Sequence, residues 1–264
     1  MSVIRTLGEQ FLMPAHIVGW GKYVPVRVLT NDDLSKMVDT NDEWIQSRTG
    51  IKERRIAGAQ ESTASLAVEA SFNALEVANI NPADVDLIIV STSSPEHIFP
   101  ATAALVQDSI GAVRAGAFDL SAACTGFIYA LNMSAQAIRT GSIKTALVIG
   151  SETLSRITNW EDRGTCILFG DGAGAFVLQA SDKPGGVLSA VMRADGSGGD
   201  LLSVPAGGSK MPTSEQTVRD GLHFIQMNGR EVFRFATRVM AGATREALEA
   251  AELEMEDVKW IIPH

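Results

Sequence analysis

The chain has 264 residues, 45% of them apolar, enough for one large domain or two of ordinary size with a substantial core. Its 22 Lys and Arg against 31 Asp and Glu leave a formal charge of −9, a field that works against nucleic acid and anionic membranes. Two cysteines, Cys124 and Cys166, exclude a disulfide scaffold. With no signal-peptide block and no run near the ~20 apolar residues of a membrane helix, a soluble, cytoplasmic protein is expected.

Residues 1–12 carry no pattern, and 1–13 read as an N-terminal tail. Strand character begins at HIVGW (16–20). From Thr30 to Arg48 the pattern is two short helices, the first capped by Thr30 or Asn31 with Asp32 and Asp33 in its first turn. Residues 62–79 form an Ala-rich helix with apolar residues on most faces, which suggests a helix covered all round. DLIIVSTSS (86–94) is a continuous apolar run of the kind found in strands buried on both faces. GAFDLS (116–121), TALVIGS (145–151), TCILFG (165–170) and AGAFVLQ (173–179) repeat it, with helices expected at 101–110 and at 126–140, the latter closed by Gly141. Strands alternating with helices predict layered α/β structure around a mostly parallel sheet. GDGAGA (170–175) reads as a tight turn between two of these strands.

SDKPGG (181–186) is the candidate linker. Beyond it the pattern restarts: DVDLIIVS (84–91) and DVKWIIPH (257–264) each follow an Ala-rich helix and a polar turn, at an offset of 173 residues. This predicts duplicated α/β halves. Residues 14–183 are the first half, and 184–264 begin a second that ends on its first buried strand. A truncated chain with an incomplete second half is therefore expected.

Cys124 lies in FDLSAACTGFIYAL, where a strand meets a helix through small residues. Ala122, Ala123 and Gly126 leave room for a tight turn and for a ligand near the backbone. A helix N-terminus favours a thiolate through its dipole and its unbonded N–H groups, which can also serve as half of an oxyanion hole. A nucleophile and a buried structural cysteine are both compatible with these residues. Cys166, inside an apolar run expected to be a strand, reads as a small buried hydrophobe.

Six motifs together resemble the β-ketoacyl-acyl-carrier-protein synthase III family of thiolase-fold condensing enzymes. They are NDEWIQSRTGIKERR (41–55), AACTGF (122–127), EDRGT (161–165), GDGAGA (170–175), MNGREVF (227–233) and IIPH (261–264). The resemblance covers almost all of 14–264 and implies an acyltransferase. An acyl group, acetyl being the expected starter, passes from coenzyme A to the Cys124 thiolate and is then condensed with malonyl-acyl carrier protein, with loss of carbon dioxide. It implies no cofactor, since the coenzyme A thioester is a substrate, and it implies a homodimer.

The resemblance also assigns residues. Cys124 is the nucleophile and His264 the first catalytic histidine. The family's later asparagine and glycine-rich segment find no counterpart, so this chain is expected to be inactive alone. Trp44 and Arg163 match the pair that sandwiches adenine, Arg48 a neighbour at the nucleotide end, and Thr40 a further hydrogen-bonding group. Phe99, Phe169, Met227 and Phe233 fall along the pantetheine and acyl channel, with Phe99 reaching across the dimer. A relative acting in secondary metabolism and a non-enzymatic interaction subunit are the other readings. Arg230, Arg234, Arg238 and Arg245 fall within an arc of about 80° on one helix, opposite Phe233, Ala236 and Met240. That basic stripe is either a solvated face or a dock for the acidic carrier protein, led by Arg234 and Arg238. No metal-ligand spacing occurs.

Overall fold

The computed structural model describes residues 13–264. The tail expected over 1–13 lies, but for Met13, outside the described residues. In chain order the elements begin with β1 (Ala15–Tyr23), β2 (Val28–Thr30), α1 (Asn31–Leu34), α2 (Asp42–Thr49), β3 (Glu53–Arg55) and α3 (Thr63–Ala78). There follow β4 (Leu87–Ser91), α4 (Thr102–Ser109), β5 (Gly116–Leu120), α5 (Gly126–Arg139), β6 (Thr145–Thr153), α6 (Arg163–Cys166) and β7 (Asp171–Ala180). The last are β8 (Leu202–Ser203), α7 (Glu215–Arg219), β9 (Gln226–Met227) and α8 (Gly229–Ala250). They form two compact units, each discontinuous in sequence. One takes residues up to Tyr23, 67–150 and 173–188; the other takes 24–66, 151–172 and 189–264.

The first unit is built on a five-stranded sheet in the order β1-β7-β6-β4-β5. The apolar runs supply its centre: Ile88, Ile89 and Val90 of β4 and Ala146 to Ile149 of β6 are fully buried. That is the signature of strands covered on both faces. β4 pairs in parallel with β5 and β6, as the alternating pattern predicts, whereas β1 adds to β7 antiparallel, so the sheet is mixed. Ala130, Ala135 and Ile138 of α5 pack on Ile89, Val148 and Leu178, and Phe127 meets Phe176 edge-on with centroids 5.3 Å apart. The helix at 63–78 buries one stripe (Ala67, Ala70, Ser71, Ala74, Leu75) and leaves Phe72 and Val77 exposed, rather than being covered on most faces.

In the second unit, α1 is capped by a reciprocal Thr30–Asp33 box, and α2 runs from an Asn41 cap to a left-handed Gly50. Leu34, Ile45, Ile56, Cys166 and Ile167 make its core. The strand expected at 165–170 is not formed. Asp162 accepts from Gly164 N and from Thr165 Oγ1, and this cap turns 163–166 into a helical turn, leaving Cys166 buried there. A four-residue apolar run cannot distinguish the two, and the cap decides it. Nor is GDGAGA a turn: Asp171 to Ala175 open β7, with Ala173 opposite Tyr23 and Gly174 opposite Lys22.

The 173-residue offset recurs in the backbone. Asn79 and Glu252 both take positive φ (53° and 56°). Ile80 N bonds Leu75 O as Leu253 N bonds Leu248 O, and Val85 N bonds Pro82 O as Val258 N bonds Met255 O. Both copies pass through a 3-10 turn, at Pro82–Asp84 and at Met255–Asp257. They part where strands begin. β4 has hydrogen-bonded neighbours on both sides, while 258–264 pairs with no strand among the described residues, so the strand expected at 257–264 is absent. Trp260 and Ile262, equivalent to Leu87 and Ile89 of β4, are 84% and 92% exposed.

Candidate functional site

Cys124 sits where the sequence puts it, on a 3-10 turn (Ala123–Thr125) between the end of β5 and the start of α5. Ala123 is left-handed (φ 46°), a conformation that costs a non-glycine residue on the order of 1–3 kcal/mol and brings Cys124 out of the sheet into an exposed position. The close approach needs Gly126, where a Cβ would run into Ser91 Oγ. α5 follows without a side-chain cap, so its N-terminal N–H groups and the positive end of its dipole lie beside the thiol. Both cysteines are thiols. Burial pushes the Cys166 thiol above its ordinary range, with the nearby Asp162 charge adding to it.

The second unit holds a cluster of flat groups. α2 presents Trp44, and the guanidinium carbons of Arg48 and Arg163 lie 4.8 and 5.0 Å from its ring centre. Arg163 donates to Asp39 O at 3.0 Å. A planar base between ring and guanidinium needs two contact distances of about 3.5 Å each, roughly 7 Å in all, so Arg163 must move out by about 2 Å to admit one. Thr40 Oγ1 is buried without a hydrogen-bond partner among the described residues, one residue from the Asn41 cap. A buried hydroxyl in that state is short of one interaction.

The predicted residues are divided between the two units. Cys124 and Phe99 belong to the first unit; Thr40, Trp44, Arg48, Arg163, Phe169, Met227, Phe233, Arg234, Arg238 and His264 belong to the second. Phe99 is 84% exposed on the segment after β4, Phe169 and Met227 are half-buried, and Phe233 and His264 are exposed. Helix α8 buries none of its residues. On it Arg234 pairs with Glu231 at 3.0 Å, and Arg238 lies 5.8 Å from the Phe235 ring centre. Among the described residues no group of three His, Cys, Asp or Glu could hold a metal ion, and no helix is long and apolar enough to cross a membrane.

Sequence reasoning passed over two buried charges. Asp171 accepts from Ala57 N (2.6 Å), Ser155 N (2.9 Å) and Ser155 Oγ (2.6 Å). Arg54 donates Nε and Nη2 to Ile167 O (3.0 and 2.5 Å) and Nη1 to Asn31 Oδ1 (2.6 Å). A charged residue inside a motif segment is the only local signal either one gives.

Cys124 thus stands exposed on a turn between the end of a strand of a mixed sheet and the mouth of a helix. Comparison with known proteins gives the class, a thiolase-fold acyltransferase. Residues 118–196 match the family model described as 3-oxoacyl-[acyl-carrier-protein] synthase III. The β-ketoacyl-[acyl-carrier-protein] synthase III of Caldanaerobacter subterraneus is 54% identical over 250 residues, 95% of this chain and 76% of the relative. The crystal structure of the synthase III from Aquifex aeolicus superposes with a TM-score of 0.83 at 46% identity, over 92% of this chain and 74% of that one. The priming β-ketosynthase of the R1128 polyketide pathway gives 0.84 at 36%, over 96% and 74%. The chain belongs to the β-ketoacyl-acyl-carrier-protein synthase III family, whose members condense an acyl-coenzyme A with malonyl-acyl carrier protein to start fatty acid synthesis.

Proposed function

We propose that Cys124 carries the acyl group, and that acetyl-coenzyme A is the donor. The Cys124 thiolate adds to the thioester carbonyl, the coenzyme A thiolate leaves, and an acyl-Cys124 thioester remains. The malonyl thioester then loses carbon dioxide; its enolate carbon attacks the acyl carbonyl and Cys124 departs as thiolate. Amide donors at the start of α5 stabilise the oxyanions on Cys124, and His264 donates to the enolate oxygen. Trp44 and Arg163 take the two faces of the adenine, Arg48 the nucleotide phosphates and Thr40 a hydrogen bond; the unsatisfied Thr40 hydroxyl supports that role. Phe99, Phe169, Met227 and Phe233 line the acyl and pantetheine path.

Arg234 and Arg238 receive the acidic carrier protein, in keeping with a stripe of like charge on a chain of net −9. Coenzyme A enters as substrate and no resident cofactor takes part. The halves 14–183 and 184–264, a homodimeric assembly and a cytoplasmic location complete the reading.

The observation that carries it is the placement of Cys124 at the N-terminus of α5 behind a left-handed Ala123. Incubation with acetyl-coenzyme A should leave one acetyl group, mapped by peptide mass to Cys124 and lost in Cys124→Ala. Acetylation elsewhere, or none, would refute the assignment. The likeness to a polyketide priming enzyme admits other starters, which a panel of acyl-coenzyme A thioesters separates.

A further inference from the structure

We infer that Arg54 is a positioning residue of the nucleotide clamp: one buried guanidinium fastens the elements that carry its two faces. The inference rests on the assignment of Trp44 and Arg163 to adenine. Arg54 is 4% exposed on β3. Its Nε and Nη2 converge on the carbonyl of Ile167, the C-cap of α6, and α6 begins with Arg163. Its Nη1 reaches Asn31 Oδ1 at 2.6 Å. The amide of Asn31 in turn donates to Asp42 Oδ1 and to Ile51 O, each at 2.8 Å. Asp42 is the first residue of α2 and Ile51 follows its Gly50 cap, so Asn31 grips both ends of the helix that carries Trp44 and Arg48.

The placement of α6, which carries Arg163, against α2, which carries Trp44, thus depends on a chain running α6, Ile167, Arg54, Asn31, α2. Gly170 lets the segment after α6 lie on β3: a Cβ there would come within 3.2 Å of Arg54 Cβ and of Arg55 O.

The chemistry suits arginine and no other residue. The cation has no carboxylate in direct contact among the described residues; the charge of Asp42 reaches it through Asn31. Burial pulls the Arg54 pKa down, yet a guanidinium remains charged at any ordinary pH. Its fixed fork spans acceptors on opposite sides, whereas a lysine is a point charge that satisfies one side and releases the other. The Cys166 thiol beside it, pushed up by its own burial, stays neutral and supplies no counter-charge.

The test compares ligands that share or lack the adenine. Dissociation constants for coenzyme A and for pantetheine are measured by calorimetry on the whole chain and on Arg54→Lys, Asn31→Ala and Trp44→Ala, with melting temperatures recorded alongside. Arg54→Lys is expected to weaken coenzyme A about tenfold, from loss of one charge-assisted bond, and to leave pantetheine unchanged. Asn31→Ala should reproduce that split if Arg54→Lys does not fold. Equal loss for both ligands would reduce Arg54 to a purely structural residue and overturn the inference. So would a split in Trp44→Ala with none in the Arg54 and Asn31 variants. If Trp44→Ala itself shows no split, the adenine assignment fails and the inference falls with it.

Discussion

Replacing Asp171 by alanine removes the acceptor of three hydrogen bonds at a position 6% exposed. A bond to a charged group contributes about 1.5–3 kcal/mol, so the three have a ceiling of about 9 kcal/mol. Removing the carboxylate also returns its own desolvation cost of several kcal/mol. The net loss is about 4 kcal/mol, from two backbone N–H groups and one hydroxyl left without their acceptor. Asp171→Asn keeps one carbonyl oxygen but turns an NH2 toward a donor, for about 2 kcal/mol. Ser155→Ala removes a single donor, for about 1 kcal/mol. Urea unfolding followed by circular dichroism should give midpoints in that order. With a slope of about 3 kcal/mol per molar for a chain of this size, the Asp171→Ala midpoint falls by more than about 1 M. A midpoint within about 0.3 M of the parent, or a Ser155→Ala loss as large as that of Asp171→Ala, would refute the reasoning.

Arg234→Glu should weaken binding of malonyl-acyl carrier protein about tenfold and flatten its salt dependence while leaving coenzyme A affinity alone; equal loss of both would remove α8 from carrier-protein docking. The bond from Lys36, together with Thr30, lowers the Asp33 carboxyl from 3.8 to about 2. A lowered folded-state pKa gives stability that is complete above about pH 4 and lost as the pH falls toward 2. Carboxyl titration by NMR should therefore find Asp33 well below 3 in the parent and closer to 3.8 in Lys36→Met. Titration near 4 in the parent would contradict the bond.

The proposed clamp was only half legible in the sequence. Trp44, Arg48 and Arg163 could be assigned by family resemblance, because those motifs keep residue type and spacing. The convergence of both guanidinium groups on the Trp44 ring could not be, since Trp44 and Arg163 lie on different elements far apart in the chain. The segment 165–170 shows the opposite failure. Its apolar run suggested a strand, but the polar cap at Asp162, a signal already present in EDRGT, outweighed it.

Local chemistry, by itself, determined the buried central strands, the capped helices at 31–34 and 42–49, and the small-residue turn that exposes Cys124. Each depends on side chains within a few positions of one another. Tertiary structure decided what lies between distant segments. It laid β1 antiparallel on β7 and joined Arg54 to Ile167 across 113 residues. The physical reason is common to both: a backbone edge or a buried charge needs a partner, and only the folded chain determines which residue that partner is.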